Sequence, residues 1–177
     1  AIFKSGNSLS ANNYRPISIL SVFAKIFEQC VKQRILQHLT DNQILQLRQY
    51  GFLPNSNTTA AASCLANDIV SSMNQQKKTA ILTLDIKKAF DCVSHEILNK
   101  LLKKTGFYGL ALGVLVDYFK NRSQKVIING TASDIEDVTS GCAQGSNLGP
   151  LIFLIYINDF LRLKLKGKAR LFADDAA

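Results

Sequence analysis

From Ser21 onward, apolar side chains fall at Val22, Phe23, Ile26, Phe27, Val31, Ile35, Leu36 and Leu39, the three-to-four spacing that lines one face of a helix. Ser21 stands where an N-cap belongs, so the pattern predicts an amphipathic helix of about five turns. The loop "QYGFLPNSNTT" follows, and then a helix over about 59–73 with Ala61, Leu65, Ile69 and Met73 on one face. "TAILTLDI" is β-prone and lacks polar alternation, which predicts a central strand buried on both faces with Asp85 at its end. Ser94 can cap a helix that runs to Lys104 and stops at Gly106, with a stripe of Ile97, Leu98, Leu101 and Leu102 and with Glu96 at the positive end. Another helix is predicted over about 110–120. "KVIING" and "TASDIEDV" predict a hairpin turned by Asn129 and Gly130. After "SGCAQGSNLGP", Pro150 can open a helix through Phe160 that is apolar nearly all round and hence buried, and "RLFADDAA" reads as a strand running into a turn. The chain carries no repeats and no low-complexity linkers.

At 177 residues and 47% hydrophobic content, the chain has enough apolar mass for one domain with a real core. The longest apolar run, Leu151 to Ile157, is far short of the roughly 20 residues a membrane span needs. "AIFKSGNSLS" at the start has no apolar core of signal-peptide length, so an intracellular, soluble protein without a membrane partner is expected. Cys30, Cys64, Cys92 and Cys142 are widely spaced and, with only His38 and His95 beside them, form no zinc pattern; they read as free thiols. The net charge of +8 is uneven. Residues 1–78 carry +5, residues 79–130 carry +4 and residues 131–177 carry −1. A basic body with a less basic, Asp-bearing end suits a polyanion held over a metal site, although excess Lys also serves solubility.

The closing "FADDAA" sets Asp174 and Asp175 side by side in an apolar stretch. A bare pair of aspartates fits either a solvated turn or a metal site. Asp85 likewise fits either a helix-capping acid or a ligand, because a carboxylate at the end of a buried strand is expensive unless paired. If the three converged, their hard oxygens would suit a pair of Mg²⁺ ions, which can activate a 3′-hydroxyl and stabilise a leaving pyrophosphate. Successive strand side chains point to opposite faces, so Asp174 and Asp175 can both reach such a site only if the strand turns; Asp174 is the expected direct ligand.

The ordered motifs "NNYRPISIL", "QYGF", "LTLDIKKAFDCVSHEIL", "GCAQGSNLGPLIFLIYINDF" and "FADD" span essentially all 177 residues. Together they resemble the reverse transcriptase domain of non-LTR, LINE-type retrotransposons, particularly jockey-like elements. The resemblance implies an α+β fold, the fingers and palm of a right-hand polymerase, with an antiparallel palm sheet packed on helices and the thumb absent. Fingers would take about 1–78 and 106–147, and palm about 79–105 and 148–177, truncated after "FADD". It implies RNA-directed DNA polymerase activity: two-metal transfer of dNTPs onto a primer 3′-hydroxyl along an RNA template. The cofactor would be two Mg²⁺ ions, with Mn²⁺ a possible substitute, held by Asp85, Asp174, Asp175 and the Ile86 carbonyl. By the same resemblance Phe90 would lie beneath the incoming sugar and exclude a 2′-hydroxyl. Gln144 and Gly145 would contact the nucleotide, Arg15 and Lys25 would grip the triphosphate, and Phe172 and Ala173 would sit near the primer terminus. The implied partners are RNA template, DNA primer or target, dNTPs and the remaining polyprotein, thumb and endonuclease included; the implied locations are nuclear and cytoplasmic.

This chain also departs from the family pattern. Leu53 and "PNSNTT" replace two expected basic residues, Ala143 replaces the proline before Gln144, and Cys142 and Asn147 stand where small or apolar residues are usual. A fragment comprising fingers and most of the palm is expected, with little activity alone, and with a missing strand after Asp175 that leaves an unpaired sheet edge. Two other functions fit the same residues: a catalytically silent nucleic-acid-binding fragment of a decayed element, and the palm of an RNA-dependent RNA polymerase, against which Phe90 speaks.

Overall fold

The computed structural model describes residues 1–128 and 130–177. The fold is mixed α+β: the described residues form five α-helices with short antiparallel ribbons between them. Two strands, β1 (Ile2–Phe3) and β2 (Tyr14–Arg15), pair near the start. Helix α1 (Val22–Asp41) begins at the predicted cap, where Ser21 Oγ accepts from the Ala24 N–H at 3.1 Å. Helix α2 (Thr58–Asn74) is capped by Asn57. Strand β3 (Leu84–Asp85) leads through a turn to α3 (His95–Lys104), capped by Ser94 and closed at Gly106 (φ +88°), and then to α4 (Gly109–Phe119). Four two-residue strands follow: β4 (Ser123–Gln124), β5 (Ile127–Ile128), β6 (Thr131–Ala132) and β7 (Glu136–Asp137). They pair as the nested ribbons β5–β6 and β4–β7, in keeping with the predicted hairpin; Gly130 has φ +83°, while Asn129 lies outside the described residues. Helix α5 (Gly149–Ile157) opens with Pro150, and β8 (Leu171–Phe172) and β9 (Asp175–Ala176) finish the chain.

The core is built around α5. Leu151, Ile152, Phe153, Leu154 and Ile155 are all essentially inaccessible. Burying five such side chains is worth on the order of 10 kcal/mol before ordering costs. Leu98 and Leu102 of α3, Leu115 and Phe119 of α4, Ile35 and Leu39 of α1, and Leu171 of β8 close over it. Among the described residues, no helix is long and apolar enough to cross a membrane.

Four expectations are corrected. "TAILTLDI" is not a buried central strand: only Leu84–Asp85 pairs, and Ile81 and Leu82 are exposed, because β3 is the outer strand of the order β3-β9-β8 and no described layer covers it. The strand expected to be missing after Asp175 is in part present, since Asp175–Ala176 pairs on both of its sides. The apolar face of α1 buries only its second half. Phe23 is 85% exposed, and contact with the core begins at Glu28. The helix opened by Pro150 ends at Ile157 and tightens into a 3-10 turn over Asn158–Arg162.

Candidate catalytic site

The β3-β9-β8 sheet sets Asp85 directly opposite Asp175, and Asp175 directly opposite Phe172. Residues paired in this way across antiparallel strands share a face with Cβ atoms roughly 5 Å apart, so the register brings Asp85 and Asp175 together. Asp174 belongs to the turn rather than to a strand, so strand alternation does not force it away from Asp175. The register thus favours Asp175 over Asp174 as the neighbour of Asp85. Asp85 and Asp175 are exposed and Asp174 is half-buried; none of them forms an ion pair among the described residues. No group of three His, Cys, Asp or Glu side chains gathers tightly enough to hold a metal ion among the described residues. The donors nonetheless fit a hard cation: two carboxylates on one face, a third in the adjacent turn, and no lysine or arginine paired with them among the described residues. Like charges repel more strongly as water is excluded, so their full convergence needs a counter-charge.

Two residues join β8 to β9. Of these only Ala173 has positive φ (+59°), a position that hairpin turns of this kind normally give to Gly. The segment before Phe52 braces this turn. Leu171 N–H donates to the Arg48 carbonyl at 2.9 Å, and Tyr50 N–H donates to the Leu171 carbonyl at 2.8 Å. Gln49, 4% exposed, accepts through Oε1 from the N–H groups of Gly51 (2.8 Å) and Ala173 (3.2 Å). Gly51 packs so closely that an added Cβ would fall 2.7 Å from the Ala173 Cα. Phe52 and Lys88 also hold left-handed φ, at +56° and +54°. Strained non-glycine backbone of this sort costs about 1–3 kcal/mol per residue and clusters at functional sites.

Phe52 links this brace to Phe90. Their rings meet edge to face at 6.0 Å, and Phe90 stacks on Phe153 of α5 at 4.9 Å. Phe90 is therefore half-buried in packing and fixed in place. Its carbonyl accepts from Cys142 N–H at 2.8 Å, and Gln144 Nε2 donates to Asp91 Oδ1 at 2.9 Å, so the Phe90 and Gln144 segments are tied together. Gly145 (φ +103°) lies against the Ser18 carbonyl, which a Cβ would approach to 3.2 Å, and Ser18 N–H donates to the Gln144 carbonyl at 2.7 Å. Arg15 on β2 and Lys25 on α1 are exposed and form no ion pair among the described residues. The Ile86 side chain is 39% exposed, Phe172 is half-buried and Ala173 is buried.

Sequence reasoning missed Glu28, Gln49 and the Asp68–Arg170 pair. Glu28, 1% exposed, accepts from Tyr118 Oη and from Asn147 N–H, both at 2.6 Å, and so fastens α1 and α4 to the loop that carries Gln144. The visible signal was its position, seven residues before Ile35 and eleven before Leu39 on the buried stripe. Arg170, nearly buried just before β8, pairs with Asp68 of α2, which also binds Lys168 at 2.7 Å. Tyr50 and Cys64 lie beside them. The Tyr50 hydrogen bond and the neighbouring Arg170 hold the Cys64 thiol below its usual range.

The sequence model of the family described as "Reverse transcriptase (RNA-dependent DNA polymerase)" matches residues 2–177. The chain is 32% identical over 167 residues, 92% of its length, to a probable RNA-directed DNA polymerase from transposon X-element of Drosophila melanogaster, and covers 18% of that protein. It is 31% identical over 150 residues (85% of the chain, 16% of the relative) to a probable RNA-directed DNA polymerase from transposon BS of the same species. To the RNA-directed DNA polymerase from mobile element jockey, also of Drosophila melanogaster, it is 29% identical over 159 residues (89% of the chain, 17% of the relative). The chain thus spans less than a fifth of the length of these curated relatives.

Proposed function

The chain belongs to the reverse transcriptase (RNA-dependent DNA polymerase) family, and from that premise we propose that it transfers nucleotides from dNTPs onto a primer 3′-hydroxyl along an RNA template. The observation that carries this reading is the register of Asp85 opposite Asp175, with Asp174 in the adjoining turn. In this proposal Asp85, Asp174, Asp175 and the Ile86 carbonyl would hold two divalent cations, Mg²⁺ or Mn²⁺. When bound, such cations supply Lewis-acid stabilisation of the attacking and leaving oxygens.

The chain's own residues do the rest. The Phe90 ring, clamped by Phe52 and Phe153, forms a fixed wall against which a sugar with a 2′-hydroxyl would clash. Gln144, held by Asp91, and the exposed Gly145 beside it would orient the nucleotide. Arg15 and Lys25, exposed and unpaired among the described residues, would attract the triphosphate, and Phe172 and Ala173 would border the primer end. Fingers would comprise about 1–78 and 106–147, and palm about 79–105 and 148–177. The net charge of +8 supports contact with template and primer through phosphates. The partners would include the rest of a retrotransposon polyprotein.

The test is primer extension on an RNA template with Mg²⁺ and dNTPs, using the chain placed in one of its longer relatives in exchange for the segment it matches. Asp85→Asn and Asp175→Asn should each abolish incorporation. Incorporation equal to wild type in either variant would refute the assignment, and template binding with no incorporation by wild type would favour a silent binding module.

A further inference from the structure

Gln49 is a buried carboxamide that the proposed chemistry leaves without a role. Two backbone N–H groups, those of Gly51 and Ala173, converge on one end of it, and only oxygen can accept from both, which fixes which end faces the turn. Its Nε2 has no partner among the described residues despite being buried. A side chain placed only for packing would not bury an unsatisfied NH₂ group, because an apolar residue of the same shape avoids that cost. The acceptor end is therefore what the position requires. Its partner N–H belongs to Ala173, the residue with φ +59° in the turn between Phe172 and Asp175. The main-chain bonds from Arg48 and Tyr50 reach Leu171 but not the turn, so the Gln49 oxygen is the brace that reaches beyond β8.

We propose that Gln49 is a positioning residue: its Oε1 holds the Ala173–Asp174 turn in a conformation that alanine resists, and thereby keeps Asp175 in register with Asp85 and Asp174 in the turn beside them. This rests on the reading of those acids as cation ligands.

The experiment measures Mn²⁺ affinity by electron paramagnetic resonance of the free ion, together with amide hydrogen exchange, on the 177-residue chain and three variants. Gln49→Met keeps the volume and removes the acceptor, Gln49→Glu keeps the acceptor, and Asp175→Asn removes a ligand. In Gln49→Met, Mn²⁺ should bind about tenfold more weakly and Ala173 N–H should exchange about tenfold faster or more, the effect of leaving the Gly51 and Ala173 N–H donors without their acceptor. Tyr50 N–H, bonded to the Leu171 carbonyl, should keep its protection, and Gln49→Glu should restore both readouts. Wild-type Mn²⁺ affinity in Gln49→Met, with affinity lost in Asp175→Asn, overturns the role of Gln49 and leaves the acids standing. Unchanged affinity in Asp175→Asn overturns both. Loss of protection at Tyr50 and across the core alike in Gln49→Met, or a Gln49→Glu chain that folds without regaining Mn²⁺ affinity, reduces Gln49 to a structural residue and overturns the proposal.

Discussion

Replacing Glu28 with Ala should destabilise the fold far more than a helix-surface substitution would. The carboxylate is 1% exposed and accepts two hydrogen bonds at 2.6 Å, from Tyr118 Oη and Asn147 N–H. Hydrogen bonds to a charged group contribute about 1.5–3 kcal/mol each, and a donor stranded in the interior costs a comparable amount. Tyr118 and Asn147 are both half-buried, so water can recover part of this, and about 3 kcal/mol is expected in total. In urea, with a slope of roughly 2 kcal/mol/M, the unfolding midpoint should fall by about 1.5 M. A second readout is independent of stability. Burial first, and then the hydrogen bond to Glu28, push the Tyr118 phenol up to about 12. Removing Glu28 leaves burial in place, so tyrosinate absorbance in native Glu28→Ala should appear at lower pH than in wild type, while staying above the ordinary tyrosine range. A midpoint shift equivalent to less than about 1 kcal/mol, with Tyr118 titrating as before, would refute this reasoning.

Gly51→Ala drives a methyl into the Ala173 backbone, and overpacking at a site that cannot give costs about 1–3 kcal/mol; Ala173 N–H should lose exchange protection while the α3–α5 core keeps it. Asp68→Asn leaves the nearly buried Arg170 without its counter-charge and should cost about 3–5 kcal/mol by denaturant melt, whereas Lys168→Ala, at the exposed side of the same carboxylate, should cost under about 1 kcal/mol. Burial pushes the Cys142 thiol up to about 12, so it should resist thiol reagents at neutral pH while exposed Cys30 and Cys92 are modified. Because the folded-state values of Cys142 and Tyr118 lie above their unfolded ones, the stability they contribute is fully present below about pH 9; it should decline as pH rises toward 12, which melts at stepped alkaline pH would show.

The helices were legible because local signals coincide with them. Ser21 and Ser94 cap where the periodicity starts, and Gly106 and Pro150 mark an end and a beginning. The strands were legible only as β-prone runs, since each is two residues long and its burial depends on neighbours supplied by distant segments. A β-prone run without polar alternation such as "TAILTLDI" reads as interior, yet only its Leu84–Asp85 pairs, as the outer strand of the β3-β9-β8 sheet. For the same reason the exposed Phe23 and Ile26 looked like core: spacing reveals a face, not what covers it. At the site, the three acids and Phe90 could be named from motifs. Which aspartate stands opposite Asp85 is a matter of register, set by pairing across some ninety residues of chain, and no local pattern carries it. Gln49 was visible only as the first letter of "QYGF", because its partner N–H lies 124 residues away. All four cysteines are free, as their spacing suggested.

The central claim is that Asp85, Asp174 and Asp175 share divalent cations. Crystals of the chain soaked in Mn²⁺ test it most directly through the anomalous signal of the bound ion. The account predicts a peak beside the carboxylates of Asp85 and Asp175, on the sheet face they share, that disappears in Asp175→Asn. A chain that binds Mn²⁺ elsewhere and leaves these carboxylates bare would contradict it.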